Sequence, residues 1–318
     1  MTSRIDIVAK NEFKTLFKEN TFTILLIIFI LMTIFSTYIG WSAKNTIINV
    51  YQETVKEISL KGIKEIPPNP FTGIPDLSIL KNMIVYVFLI GSLLALVIGN
   101  NAFIRDRRSG VLRIIFSKFI SKQTYIFGKI VGIFETLLFV IFISFLLSLF
   151  STVLISGHFL TPIEILKLSG FYAISLVYLL IFSMVGLYFA INSDGESIAL
   201  LIPVIIWVII TFVMPQITSS LVPTALLNPT NIQAVTPHSN YFHILQIVIR
   251  PFSISESYKE ISDILLETNS GINAISILQT KFQNAVGLII MFSYLGISMF
   301  GSIYAINKFN SCEEGLSE

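Results

Sequence analysis

Residues 82–129 read NMIVYVFLIGSLLALVIGNNAFI followed by RDRRSGVLRIIFSKFISKQTYIFGK, and the two parts have opposite character. The first, 82–104, contains no Asp, Glu, Lys or Arg. About 20 apolar residues in a helix cross the hydrocarbon core of a bilayer, whereas an ionised side chain at that depth is costly. The second part carries Arg105, Arg107, Arg108, Arg113, Lys118, Lys122 and Lys129 against a single acid, Asp106. Bases clustered just beyond a span are retained on the cytoplasmic side, so this junction gives both a crossing and its direction.

Charge-free windows recur on either side of it. They lie between Glu19 and Lys44, between Glu135 and Glu164, between Lys167 and Asp194, after Glu196, and between Lys281 and Lys308. The expected fold is therefore all-α: a polytopic membrane protein with six transmembrane helices in one domain, 1–318. The spans fall at about 21–42, 83–104, 131–156, 168–191, 198–217 and 285–306. Of the 318 residues 54% are hydrophobic with glycine left out, where soluble domains reach about 45–50% with glycine included. Charged residues supply only 13%, and 21 bases against 19 acids leave +2, too little for a nucleic-acid partner. The lone cysteine, Cys312, provides no internal disulfide.

With 105–129 inside, the N-terminus and its Arg4, Lys10, Lys14 and Lys18 are also inside, and an even number of spans returns the C-terminus there. The opposite side receives about 43–82, the 157–167 turn and the long segment 218–284. In the first of these, YQETVKEISLKGIKEI (51–66) reads as a short surface helix stopped by PPNP. No acid, Lys or Arg occurs from Ser197 to Ile249, but Pro223, Pro229 and Pro237 interrupt that tract. Its NYFHILQIVI run is too short to cross and reads as re-entrant or interfacial. The following SISESYKEISDILLE has helical apolar spacing and reads as an amphipathic cap in water.

Residues 4–18 place Ile5, Val8, Phe13, Leu16 and Phe17 roughly on one side, with Lys10, Lys14 and Lys18 repeating every four. Such a helix lies along the inner leaflet with its bases near anionic lipid head groups. In 105–129, arginines precede VL and IIF and then a second short helical stretch, a pattern suited to docking a cytoplasmic protein through apolar contacts with a basic rim. The same pattern also serves as plain positive-inside charge. Within the spans, Gly91, Gly186, Gly287 and Gly296 read as close-packing positions, and Pro203 as a packing kink. Glu135 is the one acid inside an otherwise apolar span, a possible intramembrane polar site or a partner for a loop base. His158, His238 and His243 map to external loops, and no metal site is expected from them. The sequence has no G-x-x-x-x-G-K-[ST] loop, because Gly128-Lys129 lacks the upstream glycine and the following hydroxyl.

The basic segment resembles the permease subunits of ABC-2 type transporters, NosY-like permeases among them. Family members commonly carry a charged residue, Arg and an S-G-T-L-like run after span two, then an L-S-K-P-I-S-R-like segment before G-K. Arg107, Arg108, Ser109, Gly110, Val111 and Leu112 match the first part, and Ser117, Lys118, Ile120, Ser121, Lys122, Gly128 and Lys129 the second, with Phe119 where proline is usual. The resemblance covers nearly the whole chain. It implies an amphipathic elbow helix before span one, a coupling helix within 105–129 that docks a separate ABC ATPase, and a re-entrant region between spans five and six. It further implies a dimer of permeases, homomeric or heteromeric, with ATP and Mg bound on the partner ATPase and no cofactor bound directly here. The coupling interface it implies comprises Arg105, Arg107, Arg108, Ser109, Gly110, Leu112, Lys118 and Lys122. An ion-coupled secondary transporter and a membrane assembly factor are the competing classes.

Overall fold

The computed structural model describes residues 2–18, 20–61, 75–117, 120–214, 253–268 and 274–309. Among them there are helices and no strands: α1 (Thr2–Lys18), α2 (Asn20–Leu60), α3 (Lys81–Tyr86), α4 (Ser92–Arg108), α5 (Val111–Ser117), α6 (Lys122–Ser156), α7 (Pro162–Asn192), α8 (Glu196–Val208), α9 (Ile254–Leu265) and α10 (Ala274–Lys308). A 3₁₀ turn (Asp76–Leu80) leads into α3, one π-helical turn (Val87–Gly91) joins α3 to α4, and another (Ile209–Val213) extends α8. Six helical stretches are long and apolar enough to cross a bilayer: Thr23–Leu60, Asp76–Arg108, Lys122–Ser156, Pro162–Asn192, Glu196–Val213 and Ala285–Lys308. The expectation of six spans is met. The NYFHILQIVI run, His238 and His243 lie outside the described residues.

The bundle is built around α7. In its most apolar stretch 72% of the residues are buried, against 17% in each of the last two spans. A helix hydrophobic all round belongs in a core, and α7 is charge-free from Leu168 to Ser193. Its start is set locally: Thr161 accepts from the Glu164 amide, the Glu164 carboxylate accepts from the Thr161 amide, and Pro162 occupies the first turn. Its closest neighbour is α4. A Cβ on Gly99 would sit 1.8 Å from the Ser183 carbonyl oxygen, and one on Gly186 would sit 2.2 Å from that of Leu96, so the two backbones meet where neither has a side chain. Of the glycines expected to permit packing, Gly91 and Gly287 also face neighbours, whereas a Cβ on Gly296 meets nothing within 4 Å.

Two expectations change. Over 51–60 the expected surface helix is not a separate element, and 62–66 lie outside the described residues: α2 runs unbroken for 41 residues, about 60 Å at 1.5 Å per residue, well beyond the ~40–45 Å of a whole bilayer. No proline interrupts it, and its one glycine, Gly40, lies against Ile79 of the 3₁₀ turn. Nor is the segment after Ser253 a cap in water. Ile254, Tyr258 and Ile261 of α9 are buried, and the Tyr258 ring stacks on Tyr178 of α7 at 4.4 Å. The serines spaced along α9 let it settle between helices: Ser255 donates to the Ile210 carbonyl of the second π-helical turn at 3.2 Å. Lys259 pairs with Glu256 at 3.3 Å and lies over the Phe88 ring at 4.2 Å.

Residues flanking the two π-helical turns bond to one another. Trp207, just before the second, donates its indole N–H to Ser92 Oγ, just after the first, at 2.7 Å. Asn100 donates to the Ala199 carbonyl at 2.7 Å and ties α4 to α8 one step further along. Pro203 lies inside α8 and is buried.

Gly99→Ala and Gly186→Ala should each lower the detergent-solubilised thermal midpoint, at a cost of roughly 1–3 kcal/mol or more from forced separation of α4 and α7. Gly296→Ala, made into open space, should leave it unchanged. Thermal unfolding followed by size-exclusion chromatography distinguishes these outcomes.

Candidate functional site

One end of the bundle collects α1, the end of α4, α5, the start of α6, the α7–α8 turn and the end of α10. α4 finishes at Arg108, and Gly110 takes a left-handed φ of +67° that turns the chain into α5. Ser121 caps α6 by accepting from the Thr124 amide. The short helix expected in the basic segment is therefore present as α5. Much of 105–129 is helical as well, comprising the last turn of α4, α5 and the first two turns of α6.

Beneath α5 lies a buried ionic cluster. Glu12 of α1, 1% exposed, presents Oε2 to Arg105 Nη2 at 2.6 Å and to Lys129 Nζ at 2.5 Å. Lys129, 2% exposed, also contacts Asp106 Oδ2 at 2.7 Å and donates to the Ala102 carbonyl at 2.8 Å. Asp106 accepts from the Tyr125 hydroxyl at 2.8 Å and lies 3.4 Å from Arg105 Nε. Two acids and two bases thus balance within one knot that joins α1, α4 and α6. Burying an ion costs several kcal/mol, and this is tolerable here because every charge has a partner.

The approach that brings Glu12 to Lys129 depends on glycine. Gly128 and Gly132 of α6 face α1, where a Cβ would come within 2.5 Å of Val8 Cβ and 2.7 Å of Glu12 Cβ respectively. Gly128-Lys129-Ile130-Val131-Gly132 is thus a small-x-x-x-small contact with the ionic residue between its glycines. This is also the physical answer to the Gly-Lys pair seen in the sequence: both residues are consumed in helix packing. Further along α1, Phe13 meets Phe17 at a tilt with centroids 4.6 Å apart and Phe17 lies edge-on to Phe139 at 5.3 Å, while Lys10, Lys14 and Lys18 are exposed.

The residues implied as an interface are not alike in place. Arg105 belongs to the knot. Arg107 donates to the Ser193 carbonyl and, at 3.3 Å, to that of Asp194, which anchors the α7–α8 turn. Arg108, 78% exposed, reaches Glu196 only at 4.0 Å, a contact worth little in water. Ser109 donates to the Asp106 carbonyl at 3.2 Å, and Ser109 and Gly110 are exposed. Leu112, on the inner side of α5, is buried. Lys122 donates to the Phe309 carbonyl, and Phe309 packs edge-on against Phe103 at 5.4 Å, so the end of α10 is fastened beside the start of α6. Lys118 lies outside the described residues. Val111, Ile114 and Ser117 of α5 are exposed, Ile114 at 56%. Phe116 turns inward, edge-on to Tyr125 at 5.6 Å.

Glu135 sits on the outward face of α6, among the exposed Phe134, Leu138 and Phe139. It forms no ion pair among the described residues; Lys129, the nearest base along the helix, is engaged by Glu12 and Asp106. At the far end, Asp76 contacts Lys44 at 3.5 Å and His158 Nε2 at 3.3 Å, and Lys167 pairs with Glu267. The described residues contain no group of three or more His, Cys, Asp or Glu suited to a metal.

The sequence reading gives no role to Glu12 or Tyr125, takes Asp106 only as the one acid of the basic segment, and takes Lys129 as a base and as part of a Gly-Lys pair. The signal was there: Glu12 falls on the apolar side of α1 with Val8 and Leu16, and Lys129 sits between two glycines four apart.

A family model described as ABC-2 family transporter protein matches residues 7–308, from within α1 to the end of α10. Comparison with curated proteins finds no match.

Glu12→Gln or Lys129→Met alone leaves an uncompensated charge in the knot and should destabilise the solubilised protein by about 3–5 kcal/mol. The double variant restores neutrality and should recover a large part of that loss. A double-mutant cycle on thermal midpoints, or on yield of monodisperse protein, measures the coupling; strict additivity would show the pair to be independent.

Proposed function

Because the chain belongs to the ABC-2 family of transporter proteins, multi-pass membrane components, we propose that it is the permease subunit of an ATP-binding cassette exporter driven by a separate ATPase. ATP and Mg are then held by that partner, two permease copies or a related pair form the membrane unit, and both chain ends face the cytoplasm. The observation that carries this reading is α5: a short helix at the basic end of the bundle, with Val111 and Ile114 exposed on it and Leu112 and Phe116 bracing it from within.

The bracing explains how a push on α5 would reach the membrane. Leu112 and Phe116 seat α5 on the bundle, and Phe116 leads through Tyr125 and Asp106 to Lys129 and Glu12. Arg107 extends the same assembly to the α7–α8 turn, and Lys122 extends it to the end of α10. Closure of the ATPase subunits would bias the packing of several helices together, which is a binding free energy spent on a conformational equilibrium with no bond chemistry in this chain. Val111 and Ile114 would provide the apolar centre of the docking surface, with Arg108 at its rim. Arg107 and Leu112 act instead by holding α5 in place.

Replacing Ile114 and Val111 by Asp should abolish stoichiometric copurification of the ATPase while membrane insertion and thermal midpoint stay as in the parent. Leu112→Ala should lower the midpoint as well, by about 2–5 kcal/mol for a buried leucine. Undiminished association of the Val111/Ile114 variant would refute docking through α5. Cysteine labelling from the two sides of the membrane tests the orientation, since a C-terminus reached only from outside would reverse it.

A further inference from the structure

We propose that the cleft between α7, α8 and α10 is a binding site for a single acyl chain of a bilayer amphiphile. The cleft encloses about 370 Å³. Its floor is α7 at Ile181 and Val185, its walls are Pro203 of α8 and Ile297 of α10, and Ile210 and Ile254 line the end toward α9. No charged residue lines it. Its polar groups are the hydroxyls of Ser298, Tyr188 and Tyr294, and that of Ser298 is already donated to the Leu295 carbonyl at 3.0 Å.

Depth and size select the occupant. The lining on α7 runs from Ile181 to Phe189, about 12 Å at 1.5 Å per residue. That is close to the ~15 Å acyl half of one leaflet, since the whole hydrocarbon core is about 30 Å. Phe189 is three residues from the end of α7 at Asn192, which puts the cleft in the leaflet nearest the ionic knot. All three helices belong to stretches long and apolar enough to cross a bilayer, so the lining stands at the depth of lipid chains. One unbranched chain fits the size, the length and the lining. Placed there, it would touch both the second π-helical turn at Ile210 and the start of α9 at Ile254. The site does not depend on the exporter reading.

The test uses the full-length protein in phosphatidylcholine vesicles doped with a phosphatidylcholine whose acyl chain bears a diazirine, photolysed and mapped by peptide mass spectrometry. Label should concentrate on 181–189 and 294–301. Ser298→Phe, which fills the cleft, should reduce it about tenfold, the loss expected when a few methylenes are excluded. Ile289→Phe, which places the same ring at an exposed position on α10 away from the cleft, should not. Val185→Phe serves as a second filling variant should Ser298→Phe elute as aggregate. Label spread evenly over outward residues such as Phe142 and Phe150, indifferent to the filling variants, would overturn the proposal, as would a disulfide formed between two copies of an Ile297→Cys, Cys312→Ser variant oxidised in the same vesicles.

Discussion

A carboxylate on α1 and an ammonium on α6 hold the N-terminal helix to the bundle, and much of the basic end follows from that contact. Glu12 and Lys129 are both almost fully enclosed, so neither is tolerable without the other. Arg105 and Asp106, adjacent on α4, complete a neutral set and bring in the last turn before α5. Gly128 and Gly132 make the approach possible by removing the side chains that would hold α1 away. An apolar contact could have bound the two helices as tightly. The charged one also sets their relative position, because it is satisfied at one register only.

Within the membrane the means of cohesion changes. Lipid tails are as apolar as leucine, so burial by itself does little to draw spans together. The contacts there are small residues that let backbones meet, as at Gly99 and Gly186, and bonds between hydroxyls, indole and carbonyls. Trp207 to Ser92, Ser255 to Ile210 and Ser175 to Tyr258 at 3.0 Å all gather where α9 meets the two π-helical turns. Such turns leave carbonyls free of their usual helical partners, and α9 supplies a hydroxyl to one of them. The protein therefore has an ionic knot at one end and a hydroxyl-aromatic junction deeper in, with α7 passing both.

The gaps in charge were enough to locate the membrane helices, since the cost of an ion in hydrocarbon is severe and independent of neighbours. The basic segment after 104 and the short helix inside it were also legible, because both are local. The fate of individual charges was not. Arg105 and Arg107 look like Arg108 in the sequence, yet the first two are consumed inside the chain while Arg108 is left largely to solvent. Glu135 and Glu12 are both acids amid apolar residues. One lies on the outward face of α6 and the other is buried, a difference set by which side of each helix meets a neighbour. The segment at α9 misled for a related reason: its serines and charges suit water, but the same serines are small enough to let a helix settle between others.

By itself, then, the sequence determined that this is an all-helical membrane protein, how many stretches can cross, and where positive charge accumulates. These depend on the running total of apolar and charged residues along the chain, which the bilayer reads without regard to what packs beside them. Only the tertiary structure decided which charges neutralise one another, which glycines are contact points, and that α2 continues far beyond the span it contains. Those depend on pairs of residues brought together from distant positions, 117 apart for Glu12 and Lys129, and no local pattern records the distance between two helices.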